Sequence, residues 1–264
     1  MKKIFLIVLV AVLSVQMGMA QAVQSGMTPE AELKDSPVDF SVNLQSNHLW
    51  RGLIITDKPV IMVLTTLKLN ESGSFTTGFW GGMSFSNESD GTHYKEINYY
   101  VQYAENGFSI GLWDLFNTRG VASPDVWNYD EETTGHLLDL RTSYNFGKNF
   151  PLTLEADFLL YGSGDSQFNS NGDFEQVTST YVQVSYPLIQ GSKVNLSGYV
   201  GAGFSFNGDT HLYGDGEQNF DIVNVGLTAS KTLKFAELNI PVSATTMWNP
   251  STKIARVQLA ITLF

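Results

Sequence analysis

The stretch VDFSVNLQSNHLW, from Val38 to Trp50, decides the fold. Val38, Phe40, Val42 and Leu44 alternate with Asp39, Ser41, Asn43 and Gln45. A period of two marks a β-strand with one apolar and one polar face. Traced as one strand through to Trp50, at about 3.3 Å per residue and a tilt near 40°, the segment spans roughly 30 Å. That is enough for the apolar band of a membrane barrel, about 25 Å tall.

The same alternation recurs along the chain. It carries Phe75 to Phe85, Ile97 to Tyr103, Leu138 to Phe146, Leu152 to Leu160, Val182 to Tyr186 and Val194 to Leu196. Val223 to Leu227, Leu238 to Val242 and Val257 to Leu263 follow. With weaker segments at 60–69 and 108–116 the count is twelve. Tight turns with Gly or Lys at 70–73, 105–107, 147–151, 188–192 and 231–235 alternate with connections at 53–59, 87–94, 118–134, 162–175, 206–218 and 249–253, several of them long and acidic. Short turns at one end and long loops at the other are the pattern of an outer-membrane barrel. The expectation is an all-β chain, a transmembrane antiparallel up-and-down β-barrel of about twelve strands. An even count puts both termini at the short-turn end, in the periplasm of a Gram-negative bacterium.

Alternation alone does not say which face is inside: a soluble barrel points its apolar face inward, a membrane barrel outward. Export favours the membrane. Lys2 and Lys3, the apolar run Ile4–Leu13 and the small-residue site Gly18-Met19-Ala20 have the layout of a signal peptide at 1–20. Residues 21–37 then read as a periplasmic leader and 38–264 as the barrel. Removing Lys2 and Lys3 takes the net charge from −11 to −13. The last strand ends in Phe264, typical of barrels handed to the barrel assembly machinery, although Leu263, Ile261, Leu259 and Val257 run out of phase with it.

The acidic balance excludes a nucleic-acid partner, which requires a basic face. There is no Cys, hence no disulfide framework and no thiolate metal site. GSGDS, SNGDF, NGDT and GDGE invite a calcium reading, but the full spacing of a calcium loop is missing and solvated acidic loops are expected. No His is followed two positions on by Ser, as in lipid-facing outer-membrane phospholipases, and neither H-E-x-x-H nor G-x-S-x-G occurs. No catalysis, cofactor or metal is expected.

The polar phase of the strands faces the lumen on this reading. It holds Trp80, Glu96, Tyr100, Trp113, Asp139, Arg141, Glu155, Asp157, Tyr161, Tyr181 and Tyr199, with Lys68 and Arg256. Small residues stand between them, among them Ser84, Ser109, Ser143, Ser179, Ser197, Gly201 and Gly203. Two readings follow. The charges form a constriction that selects small polar solutes, or Asp139, Arg141, Glu155 and Asp157 are a satisfied ion-pair cluster on neighbouring strands.

The chain resembles the TorF-like porins, also described as the Gcw_chp family of conserved hypothetical proteins. SVNLQSNHLWRG (41–52) with Lys58-Pro59 after it, GFWGGMSFS (78–86), EINYYVQY (96–103), STYVQVSYPL (179–188) and the closing IPVSATTMWNP carry the resemblance. Where the family often has a Ser-rich stretch after Arg-Gly, this chain has Leu53-Ile54-Ile55-Thr56. The resemblance implies a barrel and a porin, with no defined substrate and no catalytic residues.

The functional expectation is a narrow passive channel for small hydrophilic solutes, cation-preferring because its loops are acidic. The alternatives are a plugged ligand-binding or structural barrel, or a nucleoside-like specific channel. Outer-membrane lipids are the surroundings, and a homo-oligomer is compatible. At the end of the opening stretch, the phase of strand one puts Trp50 outward as an interface anchor, Arg51 at the lumen mouth facing an acidic loop, and Gly52 at a corner.

Overall fold

The structure, a computed structural model, describes residues 36–263 apart from 122, 192 and 237. The signal peptide, nearly all of the leader and Phe264 lie outside the described residues. Sixteen strands run in order: β1 (Val38–Gln45), β2 (His48–Trp50), β3 (Leu53–Thr56), β4 (Val60–Lys68), β5 (Phe75–Ser84), β6 (Lys95–Glu105), β7 (Phe108–Asn117) and β8 (His136–Asn145). They continue as β9 (Thr153–Tyr161), β10 (Ser166–Phe168), β11 (Phe174–Gln176), β12 (Ser179–Gln190), β13 (Asn195–Ser205), β14 (Phe220–Phe235), β15 (Leu238–Asn249) and β16 (Ile254–Thr262). Among the described residues there is no α-helix.

Twelve of these strands close into an antiparallel barrel, each beside its neighbour in the chain and β16 beside β1. β2 with β3 and β10 with β11 are separate two-stranded hairpins off the wall. The weaker segments at 60–69 and 108–116 are wall strands β4 and β7. Closure leaves the barrel without an exposed sheet edge over most of its circumference.

The period of two decides the two faces. Phe40 is 55% exposed and Leu259 58%, whereas Asp139, Tyr181 and Trp113 on the other phase are 0%, 1% and 5% exposed. The apolar phase points out and the polar phase in, the arrangement of a membrane barrel rather than a soluble one. Tight turns join the strands at one end. Asn106-Gly107, with φ of 49° and 88°, has the two positive φ values of a two-residue hairpin turn. The other end carries the long connections, apart from the tight return between Asn249 and Ile254.

The first strand differs from its expected course. It leaves the wall at Gln45, whose last partners are Val60 on β4 and Ala260 on β16. Residues 46–59 do not extend beyond the end of the barrel as a loop. They fold back through β2 and β3, with Trp50 opposite Leu53, and pack inside the barrel. The interior therefore has two halves. Toward the long loops it is filled: Val60, Met62, Trp80, Tyr94, Tyr100, Trp113 and Leu115 form one buried cluster and Leu159, Tyr181, Tyr213 and Val223 a second, with Trp50 packed against both. Toward the short turns it is lined by small hydroxyl residues such as Ser143, Ser185, Ser197 and Ser243, which keep partial exposure.

Candidate functional site

The site is the tip of the inward hairpin and the socket that receives it. Arg51 and Gly52 are the two central residues of the tip, at φ 50° and 86°. Gly adopts that region freely; for Arg it carries strain of roughly 1 kcal/mol or more. An Asn or Gly would suit the first position better, so the interest of Arg51 lies in what its side chain reaches.

Arg51 Nη1 and Nη2 donate to the two carboxylate oxygens of Asp139 at 3.2 and 2.9 Å, a bidentate pair. Nη1 also donates to the Tyr213 hydroxyl at 3.1 Å. Nη2 also lies 2.6 Å from Asp157 Oδ2, a second ion pair. The guanidinium carbon stands 4.7 Å from the Trp50 ring centroid and 5.7 Å from that of Tyr181. Side-chain exposures of 5%, 0% and 1% close Arg51, Asp139 and Asp157 off from bulk solvent. Burying three charges is unfavourable unless they meet; here they do, across 88 and 106 residues of chain.

Asp139 is shared. Arg141 Nε donates to it at 2.7 Å, and the Arg141 guanidinium lies 4.2 Å over the Trp113 ring, itself stacked on Tyr100 at 4.3 Å. Cross-strand register places Arg141 opposite Asp157 and Ser143 opposite Glu155. The expected cluster of Asp139, Arg141, Glu155 and Asp157 is thus brought together by β8 and β9, with Arg51 added from above.

The hairpin is clamped at its glycine. A Cβ on Gly52 would lie 2.0 Å from the Val223 carbonyl oxygen. Asn249 Nδ2 donates to Gly52 O at 3.2 Å and to Tyr213 O at 3.0 Å, tying the tip to the 206–219 loop. That loop folds inward too. His211 Nδ1 accepts from the Tyr213 amide at 3.2 Å, so its proton sits on Nε2, facing Asp221 at 3.2 Å. Burial holds the His211 imidazole below its ordinary pKa, with Asp221 opposing. At the hairpin's start, His48 packs beside Trp80 and Tyr94, with ring centroids 5.4 and 5.8 Å apart, and burial lowers its pKa to about 4. At its return, Thr56 donates to Glu88, and Arg256 Nε and Nη2 grip Asp57 at 3.0 and 3.1 Å. Those two hydrogen bonds hold the Asp57 carboxyl below its usual range.

Trp50 is a correction. It does not face lipid: its ring lies 5.7 Å from Tyr213, edge-on, inside the barrel. The strand phase that pointed it outward ends at Gln45. Arg51 likewise does not meet an acidic loop; it meets carboxylates of the wall. Trp80, Tyr100, Trp113, Asp139, Asp157 and Tyr181 are buried inward, and Glu96, Arg141, Glu155 and Tyr199 face inward half-buried. Glu96 accepts from Tyr94, Asn98 and Asn117 at 3.1, 2.7 and 3.2 Å. Tyr181 donates to Gln183 at 2.5 Å and accepts from Asn224 at 2.8 Å, and Tyr199 donates to the Thr246 carbonyl at 2.7 Å. Gly201 and Gly226 make room for these two tyrosines. Tyr161 stands apart, at the rim, donating to Tyr129 O at 2.5 Å. Lys68 pairs with Asp39 at 3.1 Å, away from the cluster.

The reading of the sequence missed His48, Tyr213 and Asn249. Among the described residues no three His, Asp or Glu side chains come together as a metal-binding group. A scan against protein-family models finds no match, and a search of the curated proteins finds none either.

Proposed function

We propose that the chain is an outer-membrane barrel plugged by its own first connection: a ligand-binding or structural barrel in its resting state, and not a constantly open porin. One observation carries this reading. The hairpin tip is latched by Arg51 into a buried socket of Asp139 and Asp157, with aromatic clusters filling the lumen around it. The signal-peptide layout and the outward apolar belt support placement in the outer membrane, with the short-turn end periplasmic. The reading includes no catalysis.

The narrow channel for small hydrophilic solutes, to which the resemblance to TorF-like porins also points, keeps one favourable observation. The half toward the short turns is lined by partly exposed serines, below a cluster in which three carboxylates outnumber two guanidiniums. Such a vestibule favours cations once the hairpin withdraws.

Planar-bilayer recording separates the two. The plugged barrel inserts without steady conductance; a steady open level in most wild-type insertions refutes the plug and restores the porin.

A further inference from the structure

The barrel wall has one weak line. β1 and β16 pair over Asn43–Gln45 against Ala260–Thr262, with one backbone bond beyond each end, Leu263 N to Val42 O at 2.8 Å and Ser46 N to Leu259 O at 2.9 Å. β16 itself continues to Ile254, paired with β15 alone. Above Gln45 the chain has turned inward, so the edge of β16 from Ile254 to Leu259 meets no wall strand.

A strand edge within a bilayer must satisfy its amides and carbonyls somehow. Side chains and one bend supply partners to Leu259 and to the carbonyls of Val257 and Ala255. Ser46 exchanges two hydrogen bonds with Leu259, its amide donating to O at 2.9 Å and its Oγ accepting from N at 3.0 Å. Asn47 Nδ2 donates to Val257 O at 2.8 Å and Gln258 Nε2 to Asn47 O at 2.9 Å. Arg256 Nη1 caps Ala255 O at 3.0 Å while the rest of its guanidinium holds Asp57. The seal rests on a handful of separate contacts in place of a continuous main-chain ladder.

Apolar surface lies near this polar seam on the outer wall and inside. On the outer wall a groove of about 440 Å³ lies over β14, β15 and β16, across β16 from the seam; Val225, Thr246, Trp248 and Val257 line it, and it reaches Arg256. Inside, Trp50 and Ile55 of the hairpin pack on the cluster around Met62 and Trp80. We propose that the seam is a lateral gate, through which a single-chain amphiphile with a carboxylate head passes between the bilayer and the barrel interior. The alkyl chain runs from the groove over β16 to Trp50 and Ile55, and withdrawal of the hairpin makes room for it in the filled interior. The head matches what Arg256 already binds, the carboxylate of Asp57. A ligand carboxylate that replaces Asp57 removes the ion pair tying the hairpin's returning end to β16, so binding and opening are one event.

This inference rests on the plugged reading, and the test keeps them apart. The chain has five tryptophans and no cysteine. Trp127→Phe with Trp248→Phe leaves Trp50, Trp80 and Trp113, all inside. In nanodiscs, a brominated long-chain fatty acid should quench their fluorescence saturably. The brominated alcohol of equal length should need at least several-fold more, and Arg256→Gln should remove that preference. Asn47→Cys with Gln258→Cys, joined by a short cleavable thiol linker, should abolish most of the quenching, and cleavage should restore it. Absence of quenching by the acid, equal potency of the alcohol, or quenching indifferent to the linker overturns the gate. Acrylamide, confined to water, should leave the three tryptophans bright; if it quenches them in the parent protein, the plugged reading itself fails.

Discussion

Arg51 and Asp139 face each other through two parallel hydrogen bonds of 3.2 and 2.9 Å, one at the tip of a loop and the other in the barrel wall. The pair joins the inward hairpin to the wall at a place closed to bulk solvent. Removing one partner of such a pair costs about 3–5 kcal/mol, because the other charge is left buried and alone. Arg51→Ala should therefore release the hairpin tip and convert a silent insertion into a conducting one in planar bilayers. Arg51→Lys should lie between, since an ammonium cannot bridge both oxygens of Asp139 and reach Asp157. Silence in both variants assigns the hairpin's hold to its aromatic packing alone.

Gly52 tests the same element without touching a charge. Its φ of +86° is costly for any other residue, and an added Cβ would sit 2.0 Å from a wall carbonyl. Both effects push the tip out of its socket. Gly52→Ala should reproduce the conductance of Arg51→Ala while the heat-dependent gel mobility of a folded barrel is kept. Gly147→Ala, at a tight turn with open space around its Cβ position, should leave the bilayer silent.

Acid should loosen the hairpin through His48. Its imidazole is neutral when packed against Trp80 and Tyr94, with a pKa lowered from 6.5 to about 4. Above pH 6.5 packed and released forms bind the same protons and docking is unaffected. Between pH 6.5 and about 4 the released form takes up a proton that the packed form refuses, so docking weakens as pH falls through that window. Open probability should rise over this interval. His48→Phe, which keeps the ring but not the titration, should remove that part of the response and leave whatever the carboxylates of the socket add. A profile identical in the two proteins assigns the acid response to those carboxylates.

What could be read from the sequence followed from how local each signal is. Most wall strands carry their own period of two, β4 and β7 more weakly, so the barrel and its strand number were legible segment by segment. The cluster on β8 and β9 was legible too, because Asp139, Arg141, Glu155 and Asp157 share the polar phase of adjoining strands. The hairpin was not. Leu44, Ser46, His48 and Trp50 continue one phase without a break, and Leu53-Ile54-Ile55 is apolar on both faces, as suits a strand enclosed on both sides. Nothing local separates a strand that stays in the wall from one that folds inside it. The same holds for Tyr213, set among the acidic residues of a loop that reads as solvated, yet fully buried against Trp50 and Arg51.

The division of the lumen into a filled and a wet half can be checked residue by residue, because the chain has no native cysteine to confuse the result. Serine to cysteine is a small change, and serines line the interior at both levels. Ser84 and Ser179, beneath the long connections, are 0% exposed. Ser197 and Ser243, nearer the short turns, keep partial exposure and sit in the wall pairs Ser197–Pro187 and Ser243–Ala260. A small, charged thiol reagent should label Ser197→Cys and Ser243→Cys in detergent-free bilayers within the time that it leaves Ser84→Cys and Ser179→Cys unlabelled. Adding Arg51→Ala to the two protected variants should bring their labelling up toward the exposed pair, by tenfold or more if the hairpin is what keeps water out (tenfold being about 1.4 kcal/mol of altered opening). Equal labelling at all four positions in the parent protein describes an open lumen, and with it the porin; protection that survives Arg51→Ala places the barrier in the 206–219 loop and the wall aromatics instead of the hairpin.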